Sequence, residues 1–207
     1  MDYENMNLEN RDSRMNNNQT APTKDKQEPS FIKSLLIDIV IAALIAGGIL
    51  FFVRPTVVKQ TSMLDTFQPN DYVIVYKRAY SGAKTPQRGD VIIFQSDLVN
   101  EETGGDKLLI KRVIGLPGDT ISIINEQVYL NGEEFHEDYI KDGYTPAIEI
   151  PLEGEEYTVP EDHYFCMGDN RVVSVDSRYS EVGCVTEEQI MGKAVLRLFP
   201  FNSIRTF

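Results

Sequence analysis

The chain has 207 residues, of which 42% are hydrophobic, and a formal net charge of −12. A chain of this length can bury a core without disulfide or metal support, so we expect one folded domain with accessory segments. From Arg54 onward there are 15 basic and 25 acidic residues and no basic stripe, which argues against a nucleic-acid surface. Two cysteines and two histidines are too few for a disulfide framework or a zinc cluster, and no metal or cofactor is expected.

The N-terminal part divides into a polar segment and an apolar one. Residues 1–30 are rich in Asn, Asp, Glu, Lys and Gln and lack apolar periodicity, which predicts a disordered cytoplasmic tail. Residues 31–53 are the predicted transmembrane anchor. Within it the run from Leu35 to Val53 contains one charge, Asp38, and at about 1.5 Å per residue it spans about 30 Å of hydrocarbon.

The alternatives to an anchor are a buried helix and a cleaved signal peptide. The 15 successive apolar or glycine residues from Ile39 to Val53 have no polar face, which favours lipid surroundings. A signal peptide needs small residues before its cleavage site, and residues 51–55 include none. Lys24, Lys26 and Lys33 on the N-terminal side of the apolar run, against Arg54 and Lys59 after it, favour a cytoplasmic N-terminus by a narrow margin.

Residues 54–207 form the third predicted region, a mainly β domain outside the cytosol. Short runs rich in Val, Ile, Tyr and Phe alternate with turn residues in this region. Asn131-Gly132 predicts a two-residue hairpin, and Pro117-Gly118-Asp119 predicts a tight turn. The predicted strands are residues 56–60, 71–77, 90–95, 107–115, 120–124, 127–135, 162–169 and 193–199.

Two side chains of the domain are suited to catalysis. Ser62 follows a predicted strand, and by itself it is equally well explained as a turn hydroxyl. Lys111 lies in an apolar run, where strand alternation directs Lys111 and Arg112 to opposite faces, as an inward amine and a surface cation. Burial lowers the pKa of an amine, so Lys111 could act as the base for a serine. A lysine at a sheet edge or a snorkelling side chain is at least as good an interpretation.

The loop at 167–178 interleaves two acids, two arginines and two serines. Bidentate Asp/Arg pairs could hold it rigid, and Ser174 could orient an inward lysine. A solvated polar loop remains the alternative. The four charged residues in question are Asp169, Arg171, Asp176 and Arg178.

These segments together resemble the type I signal peptidases, the bacterial leader peptidases with a Ser/Lys dyad. The similarity extends from the anchor to near the C-terminus, and the order of the motifs is its specific part. It implies a signal-peptidase-like antiparallel β domain preceded by one transmembrane helix. The motifs are Ser62-Met63, Arg88-Gly89-Asp90 with apolar residues 91–94, Lys111-Arg112 with Pro117-Gly118-Asp119, and the loop at 167–178.

The resemblance also implies a role for each site residue. Ser62 attacks the scissile carbonyl, Lys111 is the general base and Ser174 orients the lysine. The backbone N–H of Ser62, with help from Gln60, stabilises the oxyanion. The four charged residues of the loop form a scaffold around the site. The positions that match the substrate-pocket lining are Val58, Met63 and Ile110.

The implied function is that of a membrane-bound serine endopeptidase, a hydrolase that removes signal peptides from secretory preproteins. Such an enzyme cuts after small residues, usually in an Ala-x-Ala pattern, in a substrate that adds a strand to the enzyme. A single-pass protein of the cell membrane, with its catalytic domain outside the cytosol, is therefore expected. Its partners are preproteins and the lipid bilayer.

Several positions depart from the pattern of the family. Asp65 and Phe67 stand where relatives carry Pro and Leu, Val172-Val173 replaces Asp-Asn, and Gln60 replaces Gly or Ser. These changes are compatible with specialised substrates or with a weakened enzyme. The alternative function is therefore a non-catalytic, membrane-tethered scaffold or chaperone. Cys166 and Cys184 are expected to be free thiols rather than a disulfide bridge.

Overall fold

The computed structural model describes residues 31–101 and 103–207, so the predicted tail at 1–30 lies outside the described residues. The chain divides into two compact units, one ending at Ala43 and the other extending from Leu44 to Phe207. Helix α1 (Phe31–Phe52) is exposed along its whole length. In the described part of the chain it is the one helix long and apolar enough to cross a membrane. The predicted boundaries between tail, anchor and domain stay predictions.

The second unit is mainly β, as predicted. All its strand pairs are antiparallel. The strands are, in chain order, β1 (Val53–Val57), β2 (Tyr72–Tyr76), β3 (Val91–Val99), β4 (Asp106–Gly115), β5 (Thr120–Ile124), β6 (Gln127–Leu130), β7 (Glu133–Glu134), β8 (Glu156–Thr158), β9 (His163–Met167), β10 (Val185–Thr186), β11 (Ile190–Phe199) and β12 (Arg205–Thr206).

These strands form two sheets. The larger has the spatial order β1-β2-β11-β3-β4-β9-β10, with β12 paired to β11, and the smaller has the order β7-β6-β5-β8. The chain therefore leaves the larger sheet after β4, builds the smaller sheet, and returns to pair β9 with β4. This return brings the loop that follows β9 beside β4.

Strand β4 determines where the site lies. Its Lys111 pairs with Ile92 of β3, and its Arg112 lies between Val91 of β3 and Met167 of β9. Because successive side chains of a strand point to opposite faces, Lys111 and Arg112 face different surroundings. The apolar side chains of β3 and β4 on the Lys111 face form a core cluster, among them Ile92, Phe94, Leu109 and Val113.

Both predicted turns are confirmed. Asn131 and Gly132 connect β6 to β7 with positive φ angles of 54° and 83°, as a tight hairpin of the mirror-image type requires. In the turn Leu116 to Asp119, Gly118 has a φ of 81°, and the Asp119 N–H donates to the Leu116 carbonyl over 3.0 Å.

The strand predictions were wrong at some ends. We expected the first strand at 56–60, but β1 covers Val53–Val57, because its pairing with β2 starts directly after the helix. The short strands β8, β10 and β12 were not predicted. Each has only two or three residues, too few to show an alternating pattern.

Candidate active site

Ser62 lies in a turn that backbone hydrogen bonds and two buried side chains hold in place. Leu64 N–H donates to the carbonyl of Thr61, and Phe67 N–H donates to that of Met63. The side chains of Met63 and Phe67 are fully buried in the core, so they fix this turn against the sheet. Ser62 itself is 6% exposed, and its side chain lines an open groove.

Lys111 reaches Ser62 from strand β4. Its Nζ donates to Ser62 Oγ over 2.8 Å and to the carbonyl oxygen of Ile110 over 3.0 Å. The side chain is 1% exposed. Burial lowers the pKa of Lys111 to about 8, although the carboxylates of Asp176 and Asp169 act in the opposite direction. An amine with this pKa is partly unprotonated near neutral pH and can take the proton of a serine hydroxyl.

The loop after β9 packs directly on the serine turn. The Asn170 N–H donates to the carbonyl of Ser62 over 3.0 Å, and the Asn170 side-chain amide donates to the carbonyl of Thr61 over 3.1 Å. Gly168 allows this close approach, because a Cβ at that position would collide with Ser174 Oγ and with the Ser62 carbonyl oxygen. The loop thus fixes the position of the serine backbone.

Each predicted charged residue of this loop has an ion-pair partner, but only one pair lies within the loop. Arg178 and Asp176 form a bidentate pair of 2.8 and 2.9 Å, with both side chains fully buried. Burial alone raises the pKa of Asp176, but the Arg178 guanidinium and the Gly168 N–H hold that pKa below its usual value. Asp176 is therefore ionised inside the protein.

The other two pairs connect the loop to distant parts of the chain. Asp169 accepts two bonds, of 2.9 and 2.7 Å, from Arg112, and a third of 2.5 Å from the hydroxyl of Thr66. Arg171 donates two bonds, of 2.7 and 2.6 Å, to the carboxylate of Glu137. These pairs attach the loop to β4, to the serine segment and to the chain after β7.

Arg112 was predicted to be a surface cation, and this is wrong. Its side chain is only 11% exposed, because it lies over the ring of Tyr139 at 4.0 Å and also donates to the carbonyl of Gly89. A guanidinium can pair with a carboxylate and stack on a ring at the same time, which explains why this face of β4 accepts it.

The structure brings some of the other predicted site residues together, but not all. Ser174 is fully buried close to Asp176, whose pKa it helps to lower, but its Oγ makes no hydrogen bond of normal geometry within the described residues. The expected bond to Lys111 therefore stays a prediction. Gln60 is exposed and faces the grooves at the site. Val58 and Ile110 line one groove, whereas Met63 is fully buried in the core and lines neither.

Two adjoining grooves lie at the site, and one of them contains the dyad. The serine groove, of about 410 Å³, is lined by Ser62 and Lys111 together with residues of the β3–β4 region and of the polar loop. The strand groove, of about 580 Å³, lies between residues 56–60 and 107–110. They share four lining residues, which are Gln60, Glu101, Lys107 and Leu109.

The sequence alone did not identify five residues that support the site. Arg112 and Asn170 were visible in the motifs, but their contacts depend on the pairing of β4 with β9. Thr145 supports the loop because its hydroxyl accepts a bond of 2.6 Å from Arg171. Thr66, Glu137 and Thr145 lie in segments without a distinctive pattern, and Glu137 is 34 residues from its partner Arg171. Only the folded chain brings them together.

The departures from the family pattern fall into two groups. Phe67 is fully buried and packs on the ring of Phe207 with centroids 4.5 Å apart, so it belongs to the core. Asp65, Val172 and Val173 are exposed. Cys166 and Cys184 are free thiols, as expected.

Comparison with known proteins identifies relatives over most of the chain. The profile of the family described as "Signal peptidase, peptidase S26" matches residues 30–199. Signal peptidase I of Bacillus licheniformis is 35% identical over 180 residues, which cover 84% of this chain and 90% of that protein. Signal peptidase I U of Bacillus subtilis (strain 168) is also 35% identical, over 91% of this chain and 98% of that protein.

A solved structure is similar to a smaller part of the chain. The crystal structure of a signal peptidase I from Enterococcus faecalis V583 is 31% identical and covers 55% of this chain and all of that one, with a TM-score of 0.40. The match of the family profile and the full-length relatives are the decisive findings. They show that this chain belongs to the signal peptidase I family of serine endopeptidases, peptidase S26.

Proposed function

We propose that this chain removes signal peptides from secretory preproteins with Ser62 as nucleophile and Lys111 as general base. Membership of the family supports signal-peptide removal, and one observation supports the assignment of the two residues. Lys111 Nζ lies 2.8 Å from Ser62 Oγ at a site where the lysine is almost fully buried. Burial keeps the amine close to its neutral form, which is the form that can act as a base.

The proposed reaction uses Ser62 and Lys111 in turn. Neutral Lys111 accepts the proton of the Ser62 hydroxyl while Oγ attacks the carbonyl carbon of the scissile peptide bond. The oxygen of that carbonyl gains negative charge, and the backbone N–H of Ser62 and the side-chain amide of Gln60 donate to it. The Lys111 ammonium then gives its proton to the leaving nitrogen as the C–N bond breaks. Water hydrolyses the resulting ester, with Lys111 again as the base.

The strand groove is suited to the residues that precede the cut. A peptide extended between residues 56–60 and 107–110 has Val58 and Ile110 beside its side chains. Both are branched aliphatic residues in a partly or fully buried setting, so the space beside them favours small apolar side chains. We propose that the enzyme cuts after an Ala-x-Ala pattern for this reason.

We further propose a topology in which α1 spans the cell membrane, the N-terminus lies in the cytosol and the β domain lies outside it. The slight excess of lysines before the helix supports this orientation. The chain from Phe52 to Ser62 is short, so a serine on that side acts close to the bilayer, where the apolar segment of a preprotein ends.

The test is cleavage of a secretory preprotein by the full-length protein in detergent, with sequencing of the new N-terminus. Ser62→Ala and Lys111→Ala should both be inactive, because each removes one member of the dyad. Ser81→Ala and Lys84→Ala are matched controls at exposed positions of the β2–β3 connection, and they should cut like the parent.

We expect the parent and the two controls to cut after a small residue, and the two dyad variants not to cut. If the parent cuts no preprotein, the chain is a scaffold of the same fold rather than an enzyme. If either dyad variant cuts as fast as the parent, Ser62 and Lys111 do not form the dyad.

A further inference from the structure

Two exposed valines of the polar loop, Val173 and Val175, line the serine groove. They are 54% and 36% exposed, although the residue between them, Ser174, is fully buried. The alternation has a structural cause, since Arg171 and Asp176 point inward to their ion-pair partners and direct the intervening apolar side chains outward. Two β-branched apolar side chains are thus held at the mouth of the catalytic site.

We propose that the serine groove binds the first residues after the cut, and that it favours a lysine or arginine there. This inference rests on the proposed function, because it names a preference of the same catalytic site. The order of the grooves supports it. Residues before the cut lie in the strand groove beside Val58 and Ile110. Ser62 and Lys111 line the serine groove and not the strand groove. A chain that passes the serine therefore continues into the serine groove.

The surface of this groove matches a side chain with an apolar stem. Leu98 and Val99 from the end of β3 line it together with the two valines of the loop. Lysine and arginine lay their methylene stems along such surfaces and keep the charged end group in water. A short polar side chain gains nothing from the same contact.

The charges of the groove favour a cation at the end of that stem. Glu101 and Glu181 line the groove against one basic residue other than the catalytic lysine, Lys107. Both glutamates are exposed, and neither forms an ion pair within the described part of the chain. A lysine or arginine of the substrate gains attraction from both carboxylates, whereas an acidic residue is repelled by them.

The test uses three preproteins that are identical up to the cut and carry Lys, Leu or Glu at the first three mature positions. The full-length protein in detergent should cut the Lys preprotein with a kcat/KM about fivefold above that of the Glu preprotein. The Leu preprotein should lie between them, because it gains the apolar contact without the charge attraction.

Variants of the enzyme then separate charge from apolar contact. Exchange of both groove glutamates, E101K with E181K, should reverse the order of the Lys and Glu preproteins. Glu155→Lys, at an exposed position directly before β8 of the smaller sheet, changes the net charge without touching the groove and should keep the parental order. Val173→Asn should lower kcat/KM about threefold on the Lys and Leu preproteins alike, whereas Val172→Asn, an exposed valine outside the groove lining, should not.

The outcomes distinguish this inference from the proposed function. Equal cleavage of all three preproteins, or the parental order retained in the double glutamate variant, overturns the preference and leaves the peptidase activity standing. A parent that cuts none of them overturns the proposed function, and the preference with it.

Discussion

Lys111 and Arg112 are neighbours in strand β4, yet the two faces of the strand accommodate their charges in opposite ways. On one face Lys111 is buried with a serine hydroxyl and a carbonyl as hydrogen-bond partners. On the other face Arg112 has a bidentate carboxylate and an aromatic ring. A buried cation without a paired carboxylate becomes a base, whereas a paired one becomes part of the framework.

The largest effect is expected when Lys111 is replaced by arginine, the cation that lies on the opposite face of β4. Lys111→Arg retains a positive charge, but a guanidinium stays protonated over the whole working pH range and cannot take a proton from Ser62. We expect kcat/KM on a preprotein to fall by at least about a thousandfold.

Arg112→Lys is the matched control on the opposite face. It loses the bidentate geometry to Asp169 but leaves the dyad in place, so most of the activity should remain. A Lys111→Arg variant with more activity than Arg112→Lys would contradict the distinction between the two faces.

The next largest effect is expected on stability, from breaking a framework pair. Glu137→Gln leaves the fully buried Arg171 guanidinium without its carboxylate, and this should cost about 3 to 5 kcal/mol in the free energy of unfolding. Urea unfolding in detergent, followed by near-UV circular dichroism, measures the loss. The double variant Glu137→Gln with Arg171→Met removes the unpaired charge as well and should recover part of the stability. No recovery would show that the pair is not the cause.

A stabilising change is expected on the catalytic face. The pKa of Lys111 falls from 10.5 to about 8 on burial. While the lysine is charged, this shift lowers the free energy of unfolding by about 3 kcal/mol. Lys111→Met should therefore be inactive and up to about 3 kcal/mol more stable at pH 7.

The pH dependence of this stability gain checks its cause. Between pH 8 and 10.5 the unfolded parent binds more protons than the folded one, so the parent gains stability as the pH rises. The advantage of Lys111→Met should be complete below pH 8 and should vanish by about pH 10.5. A gain that does not change with pH would indicate better packing instead.

The smallest of the four effects is the pH profile of the parent. Only neutral Lys111 accepts the serine proton, so kcat/KM should rise with pH and level off above about 8. Between pH 8 and pH 6 we expect a fall of about fiftyfold, close to tenfold per unit at the lower end. A profile that is flat from pH 6 to 8 would mean that the lysine titrates elsewhere or is not the base.

The sequence predicted those parts of the fold that depend on local pattern. Apolar alternation identified the long strands, and Asn131-Gly132 identified a hairpin. The apolar run around Lys111 was compatible with an inward amine but equally with a lysine at a sheet edge, and only the structure shows that the side chain is buried. It did not predict β1 correctly, because Val53 continues the apolar run of the helix and the following Arg54-Pro55 is not typical of a strand interior.

The sequence could not predict the partners of the charged loop. Asp169, Arg171, Asp176 and Arg178 look alike in a polar segment, yet only Asp176 and Arg178 pair with each other. Which acid meets which arginine depends on the return of β9 to β4 and on the position of Glu137, a contact between residues far apart in the chain. Local pattern holds no information about such contacts.

The buried pair of Arg171 and Glu137 also constrains how this protein can evolve. A change at either position alone passes through an intermediate with an uncompensated charge in a dry interior, and selection removes such intermediates when stability is marginal. The two codons are expected to change together or not at all. Descendants of this chain should therefore either keep both residues or replace both by neutral ones, and this pattern would mark the contact in their sequences without any structure.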